Sequence, residues 1–325
     1  MIITWLKQSK FILFFRILLD RIAETIFCTK YIANSNRKND VKKFQTDMLI
    51  NAHSLEKGMS IGGVKVGFGK SKSFSLISDL CHYMSIGGSG QFAESIGSII
   101  SSYIEFNEKL GADMSDVRKS LNECAGKYGL SFSQEGGILF LSNQEIGSRL
   151  NSSFDIFSQS RYSVRDFGNT PLNIDLVKKA LKLCERTPSA CNRQPWRIHV
   201  YTGKKERDTL FTMQGGCKGF IDDMQCAILI CGDISFYNIN EIHQVYVDGG
   251  LYAMNLLYAL HHYGLATIPL TMGHKTNKIT QIKNVMDVDS KEVPVLLIGV
   301  GTPKEDVYKV AVSSRNDYNE YTTFE

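Results

Sequence analysis

The spacing of apolar positions changes near residue 150. Upstream it is helical. Val41, Phe44, Met48, Ala52 and Leu55 fall on one face of a predicted helix, with Asp40 suited to its N-cap and Gly58 to its stop. "FAESIGSIISSYIEFNEKLG" sets Phe92, Ile96, Ile99, Ile100 and Tyr103 at helical spacing, and Ser115 opens a further helix carrying Val117, Leu121, Cys124 and Tyr128, with Gly129 to end it. Downstream, Asn173 can cap a helix whose inner face is Ile174, Val177, Ala180, Leu181 and Cys184. "RIHVYT" alternates as a strand, while "CAILICG" and "VPVLLIGVG" are short apolar runs that fit strands covered on both faces. Between them "HQVYVDGGLYAMNLLYALHHYGL" is apolar almost all round, as in a helix buried on more than one side. Gly249 and Gly250 weaken that helix, so close approach of another backbone is expected there, and Gly264 fits its C′ position. The pattern predicts a mostly helical N-terminal extension over 1–150, a lid or interaction region, followed by an α+β domain over 151–325 built around a central helix.

Composition narrows the class. The chain has 325 residues, 43% hydrophobic and 22% charged, with a net charge of +4 and no dense basic block, so nucleic acid is not an expected partner. Eight cysteines are present without a C-x-x-C pair, which predicts buried free thiols, a reducing cytoplasm and no metal site. In "MIITWLKQSKFILFFRILLDRIAETIF" the longest apolar run, Phe11 to Phe15, stops at Arg16, too short to span a bilayer. Two readings stay open for residues 1–27. One is a helix packed on the protein or on a partner subunit, the simpler expectation. The other is a helix lying on a membrane surface through Trp5, Phe11, Phe14 and Phe15, with Lys7, Lys10, Arg16 and Arg21 at the headgroups.

Several segments carry candidate chemistry. "GGVKVGFGKS" over 62–71 has P-loop composition, but Gly63 stands one residue too early, so it reads as a flexible glycine loop that could move as a lid. His53 and Glu56 lie one helical turn apart and read as an exposed helix end rather than an acid–base pair or metal ligands. His261 and His262 end the central helix, where a cation suits the dipole. In "SRYSVRDF", extended geometry puts Arg161, Ser163 and Arg165 on one side and Tyr162, Val164 and Asp166 on the other. Two guanidiniums and a hydroxyl on one side make an anion site or a solvated strand edge. "TPSACNRQPW" turns the chain at Pro188, offers Ser189 and Asn192, and leaves through Pro195 and Trp196 into the next strand. It is either a rigid polar corner for a flat ligand or a capped turn with Trp196 as core filler. Cys191 within it reads as an ordinary small side chain.

Taken together, "SRYSVRDF" followed by "TPSACNRQPW", then "ATIPLTMG", "VPVLLIGVGTP" and the late basic residue of "SSRND", resemble the nitroreductase family of FMN-dependent oxidoreductases over about residues 155–325. The resemblance implies a three-layer α/β/α sandwich with a mixed, mainly antiparallel sheet, forming a homodimer with FMN at the subunit interface. It implies FMN contacts from Arg161, Tyr162, Ser163, Arg165, Pro188, Ser189, Asn192, Gln214, Pro269, Leu270, Thr271, Met272 and Arg315. Arg165 and the Thr271 backbone would tune the flavin, and no residue is implied as an obligatory acid or base. It further implies ping-pong hydride transfer from NAD(P)H to a small organic acceptor of quinone, nitro or enone type. Two positions depart from the family pattern: Ser313 replaces a basic residue and Thr271 an acidic one. They motivate an alternative, a non-catalytic or specialised flavin-fold protein in a surface-polysaccharide complex, which the segments "HSLEKG" and "GFGK" resemble.

Overall fold

The computed structural model describes residues 10–31, 41–132, 136–238 and 241–325. The proposed Asp40 cap, and Trp5 and Lys7 of the surface-helix reading, lie outside the described residues. The chain divides into two compact units, one of residues 1–59, 64–137 and 312–325, the other of residues 60–63 and 138–311.

The first unit is helical: α1 (Lys10–Tyr31), α2 (Val41–Met59), α3 (Lys70–Ser85), α4 (Gly90–Lys109) and α5 (Ser115–Tyr128). The expected inner faces are the buried ones. Met48, Ala52 and Leu55 of α2, Ile96, Ile100 and Tyr103 of α4, and Val117 and Leu121 of α5 are all nearly inaccessible. Gly129 takes the left-handed conformation that ends α5, at φ 65°. On α1, by contrast, Phe11, Phe14, Phe15, Leu19 and Ile26 are exposed.

Three expectations about this unit need correction. Cys81 of α3 and Cys124 of α5 form a disulfide, with Cα atoms 5.8 Å apart, so these two are not free thiols. Local spacing could not reveal the pair because its partners sit 43 residues apart on two different helices. The 64–69 turn is not a loose glycine loop. Gly67 N–H donates to Asn107 at 2.9 Å, the Tyr103 hydroxyl donates to the Phe68 carbonyl, and Lys70 pairs with Asp116 at 2.8 Å. Glu56 is not at an exposed helix end. It is 2% exposed and accepts the backbone N–H groups of Gly137 at 3.2 Å and Ser313 at 3.4 Å, with His53 at 3.7 Å.

The second unit holds β1 (Ile138–Ser142), α6 (Asn143–Arg149), α7 (Phe154–Gln159), α8 (Ile174–Leu183), β2 (Trp196–Tyr201), α9 (Lys204–Gln214), β3 (Cys226–Asp233), α10 (Gln244–His262), β4 (Ala266–Thr271), α11 (Thr276–Val285), β5 (Glu292–Gly301) and β6 (Val307–Ala311). Four strands form an antiparallel sheet in the order β2-β3-β5-β4, and β1 pairs with β6. A parallel contact enters at the Ser163–Thr267 bridge. The two sheet faces carry separate cores. Val177, Ala180, Leu256 and Leu260 of α8 and α10 pack with Ile228, Ile230 and Ile298. Leu210, Phe211 and Ile282 of α9 and α11 pack with Leu229 and Leu297 on the other face. This is the expected three-layer α/β/α arrangement, and β3, the most apolar run, is buried along its whole length.

Helix α10 keeps its glycines for a different reason than expected. A Cβ at Gly249 would lie 2.7 Å from the Val295 side chain, so a side chain rather than a backbone needs the space, and Gly250 faces open space. Within one chain the helix is buried on one side, and Tyr246, Val247, Leu251 and Met254 are exposed on the other. Gly264 ends it at φ 72°, with the Leu265 N–H donating to the Leu260 carbonyl at 3.0 Å.

Candidate functional site

The 187–196 corner is strained and braced from several sides. Helix α8 and the turn after it end with the Thr187 hydroxyl donating to the Cys184 carbonyl at 2.7 Å, and Pro188 then redirects the chain. Cys191, Asn192 and Gln194 all adopt left-handed φ near 50°, which costs non-glycine residues on the order of 1 kcal/mol or more each. Such a backbone persists only where its surroundings enforce it.

Asp248, fully buried in α10, is the central brace. It accepts the Ala190 N–H at 3.2 Å, the Tyr237 hydroxyl at 2.7 Å and the Gln244 amide at 3.0 Å. Burial, and then the hydrogen bond to Asp248, push the Tyr237 hydroxyl pKa well up, so it stays a donor. A second brace is Arg193. Its Nε donates to the Ala190 carbonyl at 2.9 Å, and its two Nη atoms reach Glu241 at 2.8 and 3.0 Å. The hydrogen bond from Arg193 is the main reason that the Glu241 carboxyl is held down to about 2. Ser189 Oγ accepts the Gln194 N–H at 2.9 Å. Pro188, Cys191 and Asn192 remain exposed, and Trp196 lies against Tyr252 with ring centroids 5.0 Å apart. Sequence reasoning missed Asp248, Tyr237 and the Arg193–Glu241 pair. A lone aspartate in an apolar helix was the available signal, since a buried carboxylate needs donors.

The 160–167 segment lies along β4. Val164 N–H donates to the Thr267 carbonyl at 2.9 Å. Tyr162 and Val164 pack on the core, and Asp166 pairs with Lys304 at 2.7 Å. Arg165 is 6% exposed, while Arg161 and Ser163 are half-buried. Further along β4, Leu270 and Met272 are buried, Pro269 is half-buried and Thr271 is exposed. Gln214, at the end of α9, is buried and donates to the Thr271 carbonyl at 3.0 Å. The strand thus gathers Ser163, Gln214 and residues 269–272. Residues 187–194 form a separate construction anchored to α10. Arg315 belongs to the first unit, where its guanidinium donates to the Ser313 carbonyl.

His261 departs from the expected helix-end cation. It is 6% exposed, and Ser160 Oγ lies 2.7 Å from its Nε2. Ser160 already donates to the Phe157 carbonyl at 2.7 Å, which makes the imidazole the donor to Oγ. Burial first, then the Arg161 charge, lower its pKa to about 4, so it is neutral at pH 7. Ser160 and His261 line a cavity of about 30 Å³ together with Tyr162 and Tyr308. A folded-state pKa below the unfolded value of about 6.5 makes stability fall as pH drops from 6.5 towards 4. Urea unfolding at pH 7 and pH 5 should show wild type losing more than His261→Gln, by on the order of 2 kcal/mol. Equal losses would contradict a neutral His261.

Comparison with known proteins bears on the same region. The Nitroreductase family model matches residues 159–214. The chain is 38% identical over 58 residues to a 4-nitrobenzoate reductase of Pseudomonas putida, covering 18% of this chain and 26% of that protein. It is 41% identical over 56 residues to a chloronitrobenzene nitroreductase of Comamonas testosteroni, covering 17% of this chain and 25% of that protein. The match therefore spans about a quarter of the length of these two relatives. Among solved structures, an FMN-dependent nitroreductase of Clostridium difficile aligns over 52% of this chain and 96% of its own, with 20% identity and a TM-score of 0.43. The stretch that matches the Nitroreductase family model, residues 159–214, holds both "SRYSVRDF" and the braced corner, and a helical region precedes it.

Proposed function

We infer that the protein is an FMN-dependent oxidoreductase. In this reading it passes hydride from NADH or NADPH to a small organic acceptor, a quinone, nitro compound or enone, in alternating half-reactions at one site. The observation that carries the reading is that the arginine-serine segment and the strained corner both fall inside the family-matched stretch. The donor set fits a phosphorylated tricyclic ring. Arg161, Ser163 and Arg165 supply two cations and a hydroxyl within five residues, and Pro188, Ser189 and Asn192 supply a stiff polar edge.

FMN, when bound, supplies two-electron chemistry at its ring, and the chain supplies binding, orientation and charge. Arg161 and Ser163 would hold the phosphate end. Arg165, nearly excluded from water, places a fixed positive charge where low dielectric strengthens it, favouring the electron-rich form of the ring. Gln214 and the backbone of Tyr162, Pro269, Leu270, Thr271 and Met272 would lie along the ring, with backbone N–H groups of β4's end as donors. In the same reading, the exposed Tyr246, Val247, Leu251 and Met254 of α10 are covered in a homodimer. The exposure of Phe11, Phe14 and Phe15 beside the basic Lys10 and Arg16 favours a second contact, of α1 with a membrane surface. No helix among the described residues is long and apolar enough to cross a membrane.

The test is spectroscopic. The purified protein should be yellow, and its absorbance should bleach on anaerobic addition of NADH or NADPH. A colourless protein that takes up no added FMN overturns the reading, and uptake without bleaching leaves a flavin binder without this activity. Arg165→Ala should raise the FMN dissociation constant at least tenfold, about 1.4 kcal/mol, with Arg165→Lys in between. Titration of the flavin-free protein measures both, and unchanged affinity removes Arg165 from the site.

A further inference from the structure

On the α9/α11 face of the sheet, three side chains from three neighbouring strands converge: His199 of β2, Cys231 of β3 and Glu292 of β5. His199 Nε2 and Glu292 Oε2 are 2.5 Å apart, and the imidazole nitrogen, thiol sulfur and carboxylate oxygen all lie within 4.8 Å of one another. Cys231 is fully buried, Glu292 is 7% exposed and His199 about a quarter exposed. We propose that these three residues bind one Zn²⁺ ion per chain.

Convergence depends on an irregularity in β5. Ile230 pairs with Leu296 but Cys231 pairs with Pro294, so Val295 is an extra residue in the ladder. Without it Glu292 would sit one register position away, on the opposite face. The bulge turns Glu292 to the side that carries Cys231 and His199. The displaced Val295 lies against Gly249, where any Cβ would meet it at 2.7 Å. The glycine of α10 therefore accommodates the bulge that aims the carboxylate. His199 is oriented in turn by Tyr201, whose ring stacks on it with centroids 6.4 Å apart and whose hydroxyl donates to the Met286 carbonyl at 3.2 Å.

The donor set selects the ion. A thiolate disfavours Mg²⁺ and Ca²⁺, which take oxygen ligands, whereas sulfur, nitrogen and oxygen together suit Zn²⁺. Three protein ligands leave a fourth, tetrahedral position for water, which reaches the site past His199. In the metal-free chain, burial and the adjacent Glu292 raise the Cys231 thiol pKa, so the sulfur is protonated. Metal binding releases that proton to solvent, and the proton between His199 Nε2 and Glu292 Oε2 passes to Nδ1 by way of solvent, leaving Nε2 and the carboxylate oxygen as ligands. The His199–Glu292 separation then opens to about 3.3 Å, the spacing set by Zn–N and Zn–O bonds of about 2.0–2.1 Å. Spacing along the chain gave no hint of this cluster, since its members are 32 and 61 residues apart in sequence.

The full chain, stripped with a chelator and dialysed, is titrated with Co²⁺ as a spectroscopic stand-in. One equivalent should bind, with visible bands at longer wavelength than the flavin absorbs, and added Zn²⁺ should erase them. His199→Gln, a partly exposed position, should weaken binding at least tenfold, and Cys231→Ser should abolish the bands. Zn²⁺ should raise the Tm of wild type but not of His199→Gln, a readout that holds even where Cys231→Ser folds poorly. No uptake by wild type, or equal uptake by wild type and His199→Gln, overturns the proposal. None of these readouts depends on flavin binding or turnover.

Discussion

Asp248→Ala should lower the free energy of unfolding by about 2–4 kcal/mol, the largest loss expected from a single side chain around the corner. The carboxylate is fully buried and accepts from Ala190, Tyr237 and Gln244. Truncation leaves these donors with a cavity in place of their acceptor, at about 1–3 kcal/mol for each one that cannot reach water. The removed charge had its own desolvation cost, which offsets part of that sum. Arg193–Glu241 looks comparable in the structure because it is bidentate, but it is accessible to solvent, which screens the pair and weakens its contribution. Arg193→Ala should accordingly cost less than Asp248→Ala, although both touch Ala190. Asp248→Asn keeps one acceptor oxygen and should fall between wild type and alanine. The functional consequence is larger than the stability figure suggests. Cys191, Asn192 and Gln194 hold left-handed backbones that relax once the brace is gone. FMN uptake by Asp248→Ala should drop even at temperatures where the protein stays folded. Urea unfolding followed by circular dichroism, with flavin titration of the folded variant, measures both effects. A change below 1 kcal/mol with normal flavin uptake would mean the corner holds its shape without Asp248.

How far the sequence disclosed this architecture depends on the distance over which each feature is set. The helices of the first unit and the strands of the second are encoded in local periodicity, and Met48, Ala52, Leu55, Ile228 and Ile298 are buried as the pattern requires. Asn173 caps α8 by accepting the Asp175 N–H at 3.0 Å, and Gly129 and Gly264 end their helices, because caps too are local. Features that join distant segments were not legible. The partners of Asp248, the role of Glu56 as an acceptor for Gly137 and Ser313, and the bulge at Val295 each need the folded chain. His261 shows the limit most clearly. Its place at a helix end predicts a cation, but burial outweighs the helix dipole and makes it neutral. The compact units likewise divide near residue 137 and draw 312–325 to the helical unit, a grouping that composition cannot register.

Opening the Cys81–Cys124 disulfide should destabilise the first unit by about 4 kcal/mol, the loop-closure value for a bridge of this span. The two cysteines lie 43 residues apart, and the closed loop contains all of α4. The bond acts mainly by restricting the unfolded chain, so its loss should leave the native packing of Val117, Leu121, Ile96 and Ile100 in place. The unit therefore remains folded when reduced but unfolds at lower denaturant. A double Cys81→Ser, Cys124→Ser variant should match the reduced wild type to within the cost of burying a hydroxyl at position 124, which is 2% exposed. Thiol titration of denatured protein should find two fewer reactive groups before reduction than after. Stability compared with and without dithiothreitol then separates this bond from the remaining thiols, of which Cys184, Cys217, Cys226 and Cys231 are buried. In a reducing compartment the same bond would stay open and the extra stability would be absent, so the first unit's resistance to unfolding reports the redox state around it. Equal midpoints in oxidised and reduced samples, with the bond shown to be present, would mean that the unfolded chain is already as compact as the bridge would make it.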